Sequence, residues 1–279
     1  MAACVVVVLG IMASVAHAQE QPFSQWLQDF TAKARDAGIP GPVIDSTLSD
    51  LTPDQDVIDL DHKQPEDKLT FTRYLHNTLN KRRIDEGRAL MQEHHKLLAK
   101  IAKTYDVEPQ YIIALWGMET DYGKHAGEYS VVQSLATLAY DGRRRDLFET
   151  ELLDALKIIG TGQWSSGDLV GSWAGAMGNC QFMPSSYLKF AVDFDSDGKA
   201  DIWNSLPDSF ASIANYLHQS GWQKGIGWGH ASDAADAVYP GEPDEGGYVV
   251  TDNYAVILKW NRSRFFATSV GLLADALVQ

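Results

Sequence analysis

The apolar segment between Pro109 and Gly123 constrains the fold of this chain more than any other stretch. Proline is favoured at the first position of a helix, and glycine is favoured just past its end, where the backbone turns left-handed. Between these ends, Ile112, Leu115 and Trp116 recur at helical spacing and define one apolar face. The sequence therefore predicts a helix with a buried face, around which the other elements are organised.

Glu119 lies on or beside this apolar face, because it follows Leu115 by four residues and Trp116 by three. A carboxyl group in that position loses hydration, which disfavours its charged form and raises its pKa. Such a glutamate can hold a proton near neutral pH and give it to a leaving oxygen. The alternative is a glutamate at a helix end that is satisfied by a cap or an arginine, and the segment alone leaves both interpretations open.

Helical patterns also dominate the remainder of the chain, because apolar residues recur at the same spacing in most of it. The predicted helical segments are 22–39, 42–48, 70–105, 131–139, 143–159, 184–192, 207–219 and 268–277. Residues 248–260 carry β-favouring side chains around Asp252-Asn253 and predict a small β-hairpin. No sustained alternation of strands and helices predicts a doubly wound sheet, so we expect a mostly α fold (α+β).

Two irregularities are expected within this pattern. The helical region 70–105 should break near Asn80 or Gly87, since glycine weakens a helix interior. The polar segment 50–68 holds two prolines, and it predicts a surface connection with short extended pieces.

The charge balance excludes one class of function. The 279 residues include 23 Lys and Arg and 37 Asp and Glu, which gives a formal net charge of −14. Phosphate backbones are bound through clustered lysine and arginine, so we exclude a general nucleic-acid binder. With 45% hydrophobic residues, the chain is long enough for one large domain or for a main domain with a smaller lobe.

The first 18 residues are typical of a secretory signal peptide. An apolar run from Val5 to Met12 precedes Ala16-His17-Ala18, a small-x-small cleavage pattern. The run is too short to cross a bilayer as an ordinary helix. We therefore expect an exported protein made of residues 19–279, cleaved near Ala18 and without stable membrane insertion. A retained anchor or a core strand is the alternative, since the segment lacks the usual lysine or arginine.

The two cysteines exclude a disulfide framework. Cys4 falls in the predicted signal peptide, so cleavage would leave Cys180 alone. One cysteine cannot form an internal disulfide, and export has therefore not produced a disulfide-stabilised scaffold here.

Residues 193–204 match the spacing of an EF-hand calcium loop. Carboxylates occupy loop positions one, three, five and nine, and glycine occupies position six: Asp193, Asp195, Asp197, Asp201 and Gly198. Alternate positions converge on one ion, and the glycine permits the sharp turn. We expect one structural Ca²⁺ rather than a sensor pair, because the loop stands alone. An Asp-rich turn without a metal is the alternative.

The second half of this loop departs from the pattern. Lys199 at position seven would contribute its backbone carbonyl, as that position does in EF-hands. Position twelve should be a bidentate glutamate but is Asn204. Asp208, just inside the next predicted helix, is the candidate that would complete the ligand set.

Residues 171–184 form a segment rich in glycine and alanine, which lets the backbone pack closely or admit a ligand. Ser172, Asn179 and Gln181 offer neutral hydrogen bonds within it. A saccharide cleft needs such groups beside aromatic rings, and this chain has eight Trp and eleven Tyr. An ordinary glycine-rich loop remains the alternative on composition alone.

Four motifs together resemble the lytic murein transglycosylase B family. They are Trp116–Gly123, the long run from Gly171 to Tyr187, Ser212–Leu217 and Leu258–Ser263. The similarity extends over roughly residues 22–278 in the order of the family. Two departures stand within it: Trp260 occupies a position where the family often has tyrosine, and Asn179-Cys180 replaces the commoner pair before Gln181.

The resemblance implies a lysozyme-like catalytic core with an inserted α lobe and an EF-hand-type calcium loop, and it implies an enzyme that acts on peptidoglycan glycan strands. We expect residues 19–279 to form this catalytic domain without an appended wall-binding domain, as a monomer in the periplasm. Such enzymes cleave the β-1,4 bond between N-acetylmuramic acid and N-acetylglucosamine and leave a 1,6-anhydro end. Residues that match the family's cleft are the acid/base Glu119 and the substrate-binding Ser172, Gln181, Tyr216, Trp260 and Asn261. Residues that match its calcium site are Asp193, Asp195, Asp197, Lys199 and Asp208.

The implied mechanism uses one carboxyl group. Ordinary glycosidases place two carboxylates around the bond, but Asp121 follows Glu119 by two residues and points away from it on a helix. By resemblance, Glu119 protonates the glycosidic oxygen and then accepts the proton of the muramyl 6-hydroxyl, which attacks C1.

Three other functions stay open on the sequence. A lysozyme-type hydrolase would use the same acid but would release a reducing end. A non-catalytic peptidoglycan-binding module would keep the aromatic residues without turnover. A calcium-regulated interaction protein is least favoured, because the loop has no partner loop.

Overall fold

The computed structural model describes residues 21–63 and 69–279, and within these ranges it is mostly helical, as predicted. The predicted signal peptide, residues 1–18, lies outside the described residues. No helix in the described ranges has both the length and the hydropathy that crossing a membrane requires.

The helices and strands alternate irregularly along the chain. The α-helices are α1 Phe23–Asp36, α2 Gly41–Leu48, α3 Gln55–His62, α4 Phe71–Thr78, α5 Lys81–Glu93, α6 His95–Tyr105, α7 Pro109–Thr120, α8 Val131–Asp141, α9 Arg145–Gly160, α10 Pro184–Phe190, α11 Leu206–Gln219, α12 Asp252–Trp260 and α13 Arg264–Val278. The strands are β1 Tyr129–Ser130, β2 Val170–Gly171, β3 Gly229–Ala231 and β4 Tyr248–Val250, with a 3-10 turn at Pro243–Glu245.

Helix α7 lies at the centre of the larger helical group, which confirms the prediction of a buried organising helix. Residues 111–117 are all buried, and α5, α6, α11 and α13 pack around them. The helix is apolar on nearly every side, which is the pattern of a helix surrounded by protein. It ends at Thr120, where Asp121 turns left-handed with φ of 51°, before the predicted stop at Gly123.

A second group of helices packs beside the first. Helices α8, α9 and α10 form its centre, with α1, α2 and α3 against them, and α10 also contacts α11. One continuous set of buried apolar side chains runs through both groups. This continuity fixes the loops at their junction, where the candidate site lies.

Strands β1 and β2 tie the glycine-rich segment to the loop that follows α7. They pair antiparallel, with Tyr129 opposite Gly171. Gly127 lies so close to this strand that a Cβ there would overlap the carbonyl of Gly171. Bridges between Gly171 and Met177 and between Met177 and Phe182 then fold the segment back on itself. Residues 171–182 are thus held as a compact wall beside the end of α7.

The predicted hairpin at 248–260 is wrong in its second half. Strand β4 pairs with β3, and residues 252–260 form helix α12. The side chain of Thr251 accepts the backbone N–H of Asn253 and so caps the start of this helix. The helical start signal overrides the β-favouring side chains that follow it.

Two further predictions are corrected. Residues 55–62 of the expected connection form α3, because the Asp54 side chain caps it by accepting the N–H groups of Asp56 and Val57. The region 70–105 breaks near Asn80, as predicted, and again at His94. Gly87 does not break it. A Cβ there would overlap the Tyr122 hydroxyl, so this glycine permits close packing of α5 against α7.

Candidate active site

Glu119 stands in the last turn of α7 and is partly buried, with one direct side-chain partner among the described residues. The indole Nε1–H of Trp260, at the end of α12, donates to Oε1 of Glu119 over 2.7 Å. Burial raises the pKa of Glu119 from 4.5 to about 7, and the hydrogen bond from Trp260 works in the opposite direction. A group with this pKa exchanges a proton readily at neutral pH, which is what an acid/base residue requires.

Trp260 is packed against two aromatic side chains that face the same space. Its ring lies 4.6 Å from that of Tyr216 and 5.3 Å from that of Phe182, measured between centroids. The Tyr216 hydroxyl donates to the carbonyl of Lys259 over 2.7 Å, which fixes the end of α12. A cavity of about 110 Å³ opens here. Its lining residues are Gln181, Phe182, Met183, Ser186, Tyr216, Lys259 and Trp260.

Gln181 enters this cavity from the glycine-rich segment with a left-handed backbone, φ 48°. Its amide nitrogen donates to the carbonyls of Ala126 (3.0 Å) and Gly178 (2.9 Å). Both amide hydrogens are therefore used within the protein, and the side-chain oxygen is the atom that can serve a ligand.

Asn179 has a different role from the one its residue type suggested. Its side chain is buried, accepts from the indole nitrogen of Trp116 at 3.0 Å and donates to the carbonyls of Ile202 and Trp203. It therefore connects α7 to the Asp-rich loop, and it offers no free group to a ligand.

Ser172 and Asn261 make local hydrogen bonds only, within the part of the chain that the structure describes. The Ser172 hydroxyl oxygen accepts the N–H of Ala176 at 3.1 Å, and the Asn261 side-chain oxygen accepts the N–H of Ser263 at 3.0 Å. Each keeps a donor group free for a ligand. Neither is hydrogen-bonded to Glu119 in the described residues.

Asp121 is engaged by two arginines of α5. Arg82 and Arg83 form ion pairs with its carboxylate at 2.8 and 3.1 Å. Although burial works to raise the pKa of Asp121, hydrogen bonds from the two arginines hold it below its usual value. Asp121 is thus a fixed carboxylate directed toward α5, which leaves Glu119 without a second carboxyl group from this helix.

Two side chains that sense the charge of Glu119, Tyr74 and Cys180, were not predicted from the sequence as part of the site. Burial raises the pKa of the Tyr74 hydroxyl on α4, and the charge of Glu119 adds to that effect. Burial and then the charge of Glu119 also raise the pKa of the Cys180 thiol, whose sulfur lies 3.3 Å from the carbonyl of Ser209. No local pattern marks Tyr74, because it lies 45 residues before Glu119 on another helix. Cys180 lay inside the resembling motif but was noted only as a departure.

The Asp-rich loop brings three predicted ligands together. One oxygen each from Asp193, Asp195 and Asp197 lies within 4.8 Å of the others, and all three side chains are exposed. Carboxylate oxygens at this separation are the donors that Ca²⁺ prefers, so the residues present are suited to a hard cation.

Lys199 and Asp208 take other contacts. The Lys199 ammonium lies over the ring of Trp164, 4.9 Å from its centroid, which leaves the backbone carbonyl as its only group for an ion. Asp208 is fully buried, and its oxygens accept the backbone N–H groups of Phe194 (2.7 Å), Asp195 (3.3 Å) and Asp201 (2.9 Å). Asp208 therefore shapes the loop by binding its backbone.

A second acidic group, Asp61, His62 and Asp141, has metal-compatible spacing but a different chemistry. The buried Asp61 is ion-paired with Arg143 and Arg144, each at 3.3 Å. Two guanidinium groups already neutralise this carboxylate, so the cluster is an ion-pair network and not a metal site.

Comparisons with known proteins agree with one another. A family model described as Transglycosylase SLT domain matches residues 22–239 and 230–275. The membrane-bound lytic murein transglycosylase B of Escherichia coli is 35% identical over 156 residues, which span 56% of this chain and 43% of that protein. The chain thus matches less than half the length of that curated relative.

Solved structures resemble the chain over most of its length. SltB3 from Pseudomonas aeruginosa, in complex with NAG-NAM-pentapeptide or with NAG-anhNAM-pentapeptide, is 35% identical, with a TM-score of 0.85 over 92% of this chain and 80% of that chain. The Escherichia coli lytic transglycosylase Slt35, in complex with calcium, is 26% identical, with a TM-score of 0.78 over 90% of this chain and 92% of that chain.

Proposed function

Because this chain belongs to the transglycosylase SLT domain family, we propose that it is a peptidoglycan lytic transglycosylase. It cleaves the β-1,4 bond between N-acetylmuramic acid and N-acetylglucosamine and leaves a 1,6-anhydro end. One observation carries the proposal: Glu119 has a pKa of about 7 and stands without a carboxylate partner from α7, since Asp121 is paired with arginines. The name of the Escherichia coli relative and the anhydro ligand of SltB3 support it.

Glu119 acts first as an acid. At neutral pH, a substantial fraction of its carboxyl groups is protonated, because burial raises its pKa to about 7. The proton passes to the glycosidic oxygen as the bond to C1 breaks, and the positive charge that develops at C1 is stabilised by the substrate's own N-acetyl oxygen. Asn261 and Ser172, each with a free donor, orient that acetamido group.

Glu119 then acts as a base. Its carboxylate accepts the proton of the muramyl 6-hydroxyl while that oxygen bonds to C1 and closes the 1,6-anhydro ring. The proton count is balanced, because Glu119 ends the cycle protonated and no water is consumed. The aromatic faces of Trp260 and Tyr216 and the side-chain oxygen of Gln181 form the wall against which the sugar lies.

The released product distinguishes this reaction from hydrolysis. Intact sacculi digested with the enzyme should yield muropeptides whose mass is one water lower than that of the corresponding reducing-end products. The reason is that the sugar's own hydroxyl replaces water as the nucleophile. Mass spectrometry of the digest measures this, with a hydrolytic muramidase digest of the same sacculi as the reference. Reducing ends would identify a lysozyme-type hydrolase, and an absence of products would favour a binding module.

The same proposal covers the remaining features. Residues 19–279 form the catalytic domain, a monomer that acts in the periplasm on glycan strands after cleavage of residues 1–18 near Ala18. Asp193, Asp195, Asp197 and the Lys199 carbonyl, with Asp208 behind them, would hold a Ca²⁺ ion in the loop that carries the carbonyl partner of Asn179. An ion bound there would supply structural stability and would take no part in the chemistry.

Calcium should therefore raise the melting temperature of the protein without changing its pH–activity profile. An ion that binds the native state stabilises it by about 2.7 kcal/mol at one hundred times its dissociation constant. Differential scanning fluorimetry in EDTA, in excess Ca²⁺ and in excess Mg²⁺ measures the effect. Asp193→Ala should lose the calcium response, since its carboxylate is one of the three that converge. If excess Ca²⁺ left the melting temperature of the wild type unchanged, the proposed calcium site would be contradicted.

A further inference from the structure

We propose that Trp260 decides which oxygen of Glu119 carries the catalytic proton. The proposal rests on the function proposed above and adds a positioning residue to it. The contact that motivates it is the 2.7 Å hydrogen bond from the indole Nε1–H to Oε1. An indole nitrogen can donate but cannot accept, so the direction of this hydrogen bond is fixed whatever the protonation state of Glu119.

The second oxygen of Glu119 is the one left free. Oε2 accepts no hydrogen bond from the residues that the structure describes, whereas Oε1 accepts that of Trp260. Among the same residues, the one buried side-chain nitrogen or oxygen atom without a hydrogen-bond partner is Ser269 Oγ. Since Oε2 of Glu119 also lacks a partner but does not belong to this buried class, it is exposed to solvent. Oε2 is therefore unpartnered and accessible, and a substrate oxygen can approach it.

These two facts place the proton. In a protonated carboxyl group the carbonyl oxygen accepts a hydrogen bond better than the hydroxyl oxygen does, so the indole donor at Oε1 favours the form in which Oε1 is the carbonyl oxygen. The protonated form therefore carries its hydrogen on Oε2, toward the open side. Trp260 thereby keeps the acid in one orientation before the substrate arrives, and such preorganisation places the proton donor within reach of the glycosidic oxygen.

The indole itself is held from three directions. Tyr216 and Phe182 pack against its ring, and the Tyr216 hydroxyl anchors the adjacent carbonyl of Lys259. The backbone N–H of Asn261 donates to the carbonyl of Ile257, which closes the helix just after the tryptophan. A side chain packed this way does not rotate freely, so the donor stays aimed at Oε1.

Charged neighbours do not replace this hydrogen bond. Burial raises the pKa of Glu119, and the hydrogen bond from Trp260 lowers it. The charge of Glu119 contributes to the raised pKa values of Tyr74 and Cys180, and both of these groups are neutral at pH 7. Proton exchange at neutral pH is thus governed by Glu119 and its indole partner.

Four cationic side chains on three of the surrounding helices bind other groups. On α5, Arg82 and Arg83 bind Asp121. On α12, the Lys259 ammonium donates to the carbonyl of Ser220 at 2.7 Å, and on α13 the Arg264 guanidinium donates to that of Tyr239 at 3.5 Å.

Trp260→Phe is the variant that tests the proposal, because it keeps an aromatic ring and removes the donor. The alkaline limb of the pH dependence of kcat/KM reports the acid in the free enzyme. Without the donor, burial acts alone on Glu119, so we expect this limb to move upward by about one pH unit. We also expect kcat on soluble glycan fragments to fall about tenfold, with KM within twofold, because the carboxyl group loses the contact that orients it and its proton then occupies either oxygen.

A matched control is available in the same chain. Trp26 of α1 donates its indole N–H to the Glu149 carboxylate at 3.0 Å, far along the sequence and in the other helical group. Trp26→Phe removes the same kind of hydrogen bond and should leave the pH limb and kcat unchanged. Trp260→Tyr restores a group that can donate, and it should move the limb back toward the wild-type position.

A direct titration makes the result independent of turnover. Carboxyl ¹³C resonances of glutamate, with that of Glu119 identified as the one missing in Glu119→Gln, give its pKa in wild type and in Trp260→Phe. An upward shift in the variant supports the proposal. An unchanged pKa of Glu119 overturns it and assigns Trp260 to sugar stacking alone. So does a variant whose KM rises while kcat and the alkaline limb of the pH profile stay unchanged. Failure of the proposed function is distinguishable, because the wild type would then release no anhydro product.

Discussion

Glu119→Gln should abolish bond cleavage while leaving the protein folded and, above neutral pH, more stable than the wild type. The glutamine keeps an oxygen that can accept the Trp260 hydrogen bond, but it can neither give nor take a proton. General acid and base catalysis each contribute about 10²–10⁴ to a rate, so we expect kcat to fall by about a thousandfold or more. Release of anhydro-muropeptides from sacculi, followed by mass spectrometry, measures the loss.

The gain in stability follows from the pKa of the same group. The folded pKa of Glu119 is raised from 4.5 to about 7, so the protonated form is favoured in the native state. Its contribution to stability is complete below pH 4.5 and is lost as the pH rises through 7. Glu119→Gln escapes this loss. We expect its free energy of unfolding to exceed that of the wild type by about 3 kcal/mol at pH 8 and to match it near pH 4.

Asp121→Asn is the control that isolates the solitary role of Glu119. Asparagine tolerates the left-handed backbone at this position, φ 51°, and it retains one oxygen for Arg82 and Arg83. Activity should stay within about tenfold of the wild type, because this carboxylate is already neutralised by the two arginines. A loss as large as that of Glu119→Gln would contradict a single-carboxyl mechanism and would indicate a pair of catalytic carboxylates.

Local patterns predicted the centre of the fold but not its contacts over long distances. Pro109 and the apolar residues after it mark α7 in the sequence, and its burial follows from having few polar positions. The helix ends three residues before Gly123, where Asp121 takes the left-handed capping conformation and its carboxylate pairs with Arg82 and Arg83. Ion pairs of that kind join residues 38 or 39 positions apart, and no periodicity encodes them.

In the candidate site, too, local features could be predicted from the sequence, whereas contacts between distant residues could not. The desolvation of Glu119 could be predicted from its spacing to Leu115 and Trp116, and the raised pKa agrees with it. The hydrogen bond between Trp260 and Glu119 joins residues 141 positions apart. Only the family resemblance predicted that this tryptophan lies in the cleft. Asn179 was expected to face a ligand because of its residue type. It instead binds Trp116 and two carbonyls, which depends on packing that sequence spacing does not contain.

Asp208→Ala should lower stability more than the loss of any exposed carboxylate of the Asp-rich loop. Asp208 is fully buried and accepts three backbone N–H groups, two from residues 194 and 195 and one from residue 201. Truncation leaves these donors without their partner, and a buried donor left unpaired costs about 1–3 kcal/mol. Some of the loop can reach water, so we expect the free energy of unfolding to fall by about 3 kcal/mol. The melting temperature should fall by roughly 6–12 °C.

Melting in EDTA and in Ca²⁺ separates this role from ion binding. Asp193→Ala removes an exposed carboxylate, so in EDTA it should melt close to the wild type and in Ca²⁺ it should gain nothing. Asp208→Ala should melt well below both in EDTA, because its three backbone hydrogen bonds do not depend on an ion. Asp208→Asn keeps one accepting oxygen, so its melting temperature in EDTA should lie between those of Asp208→Ala and the wild type. If Asp208→Ala instead matched the wild type in EDTA and differed only in Ca²⁺, Asp208 would act as an ion ligand. Its hydrogen bonds to the loop backbone would then contribute little to folding.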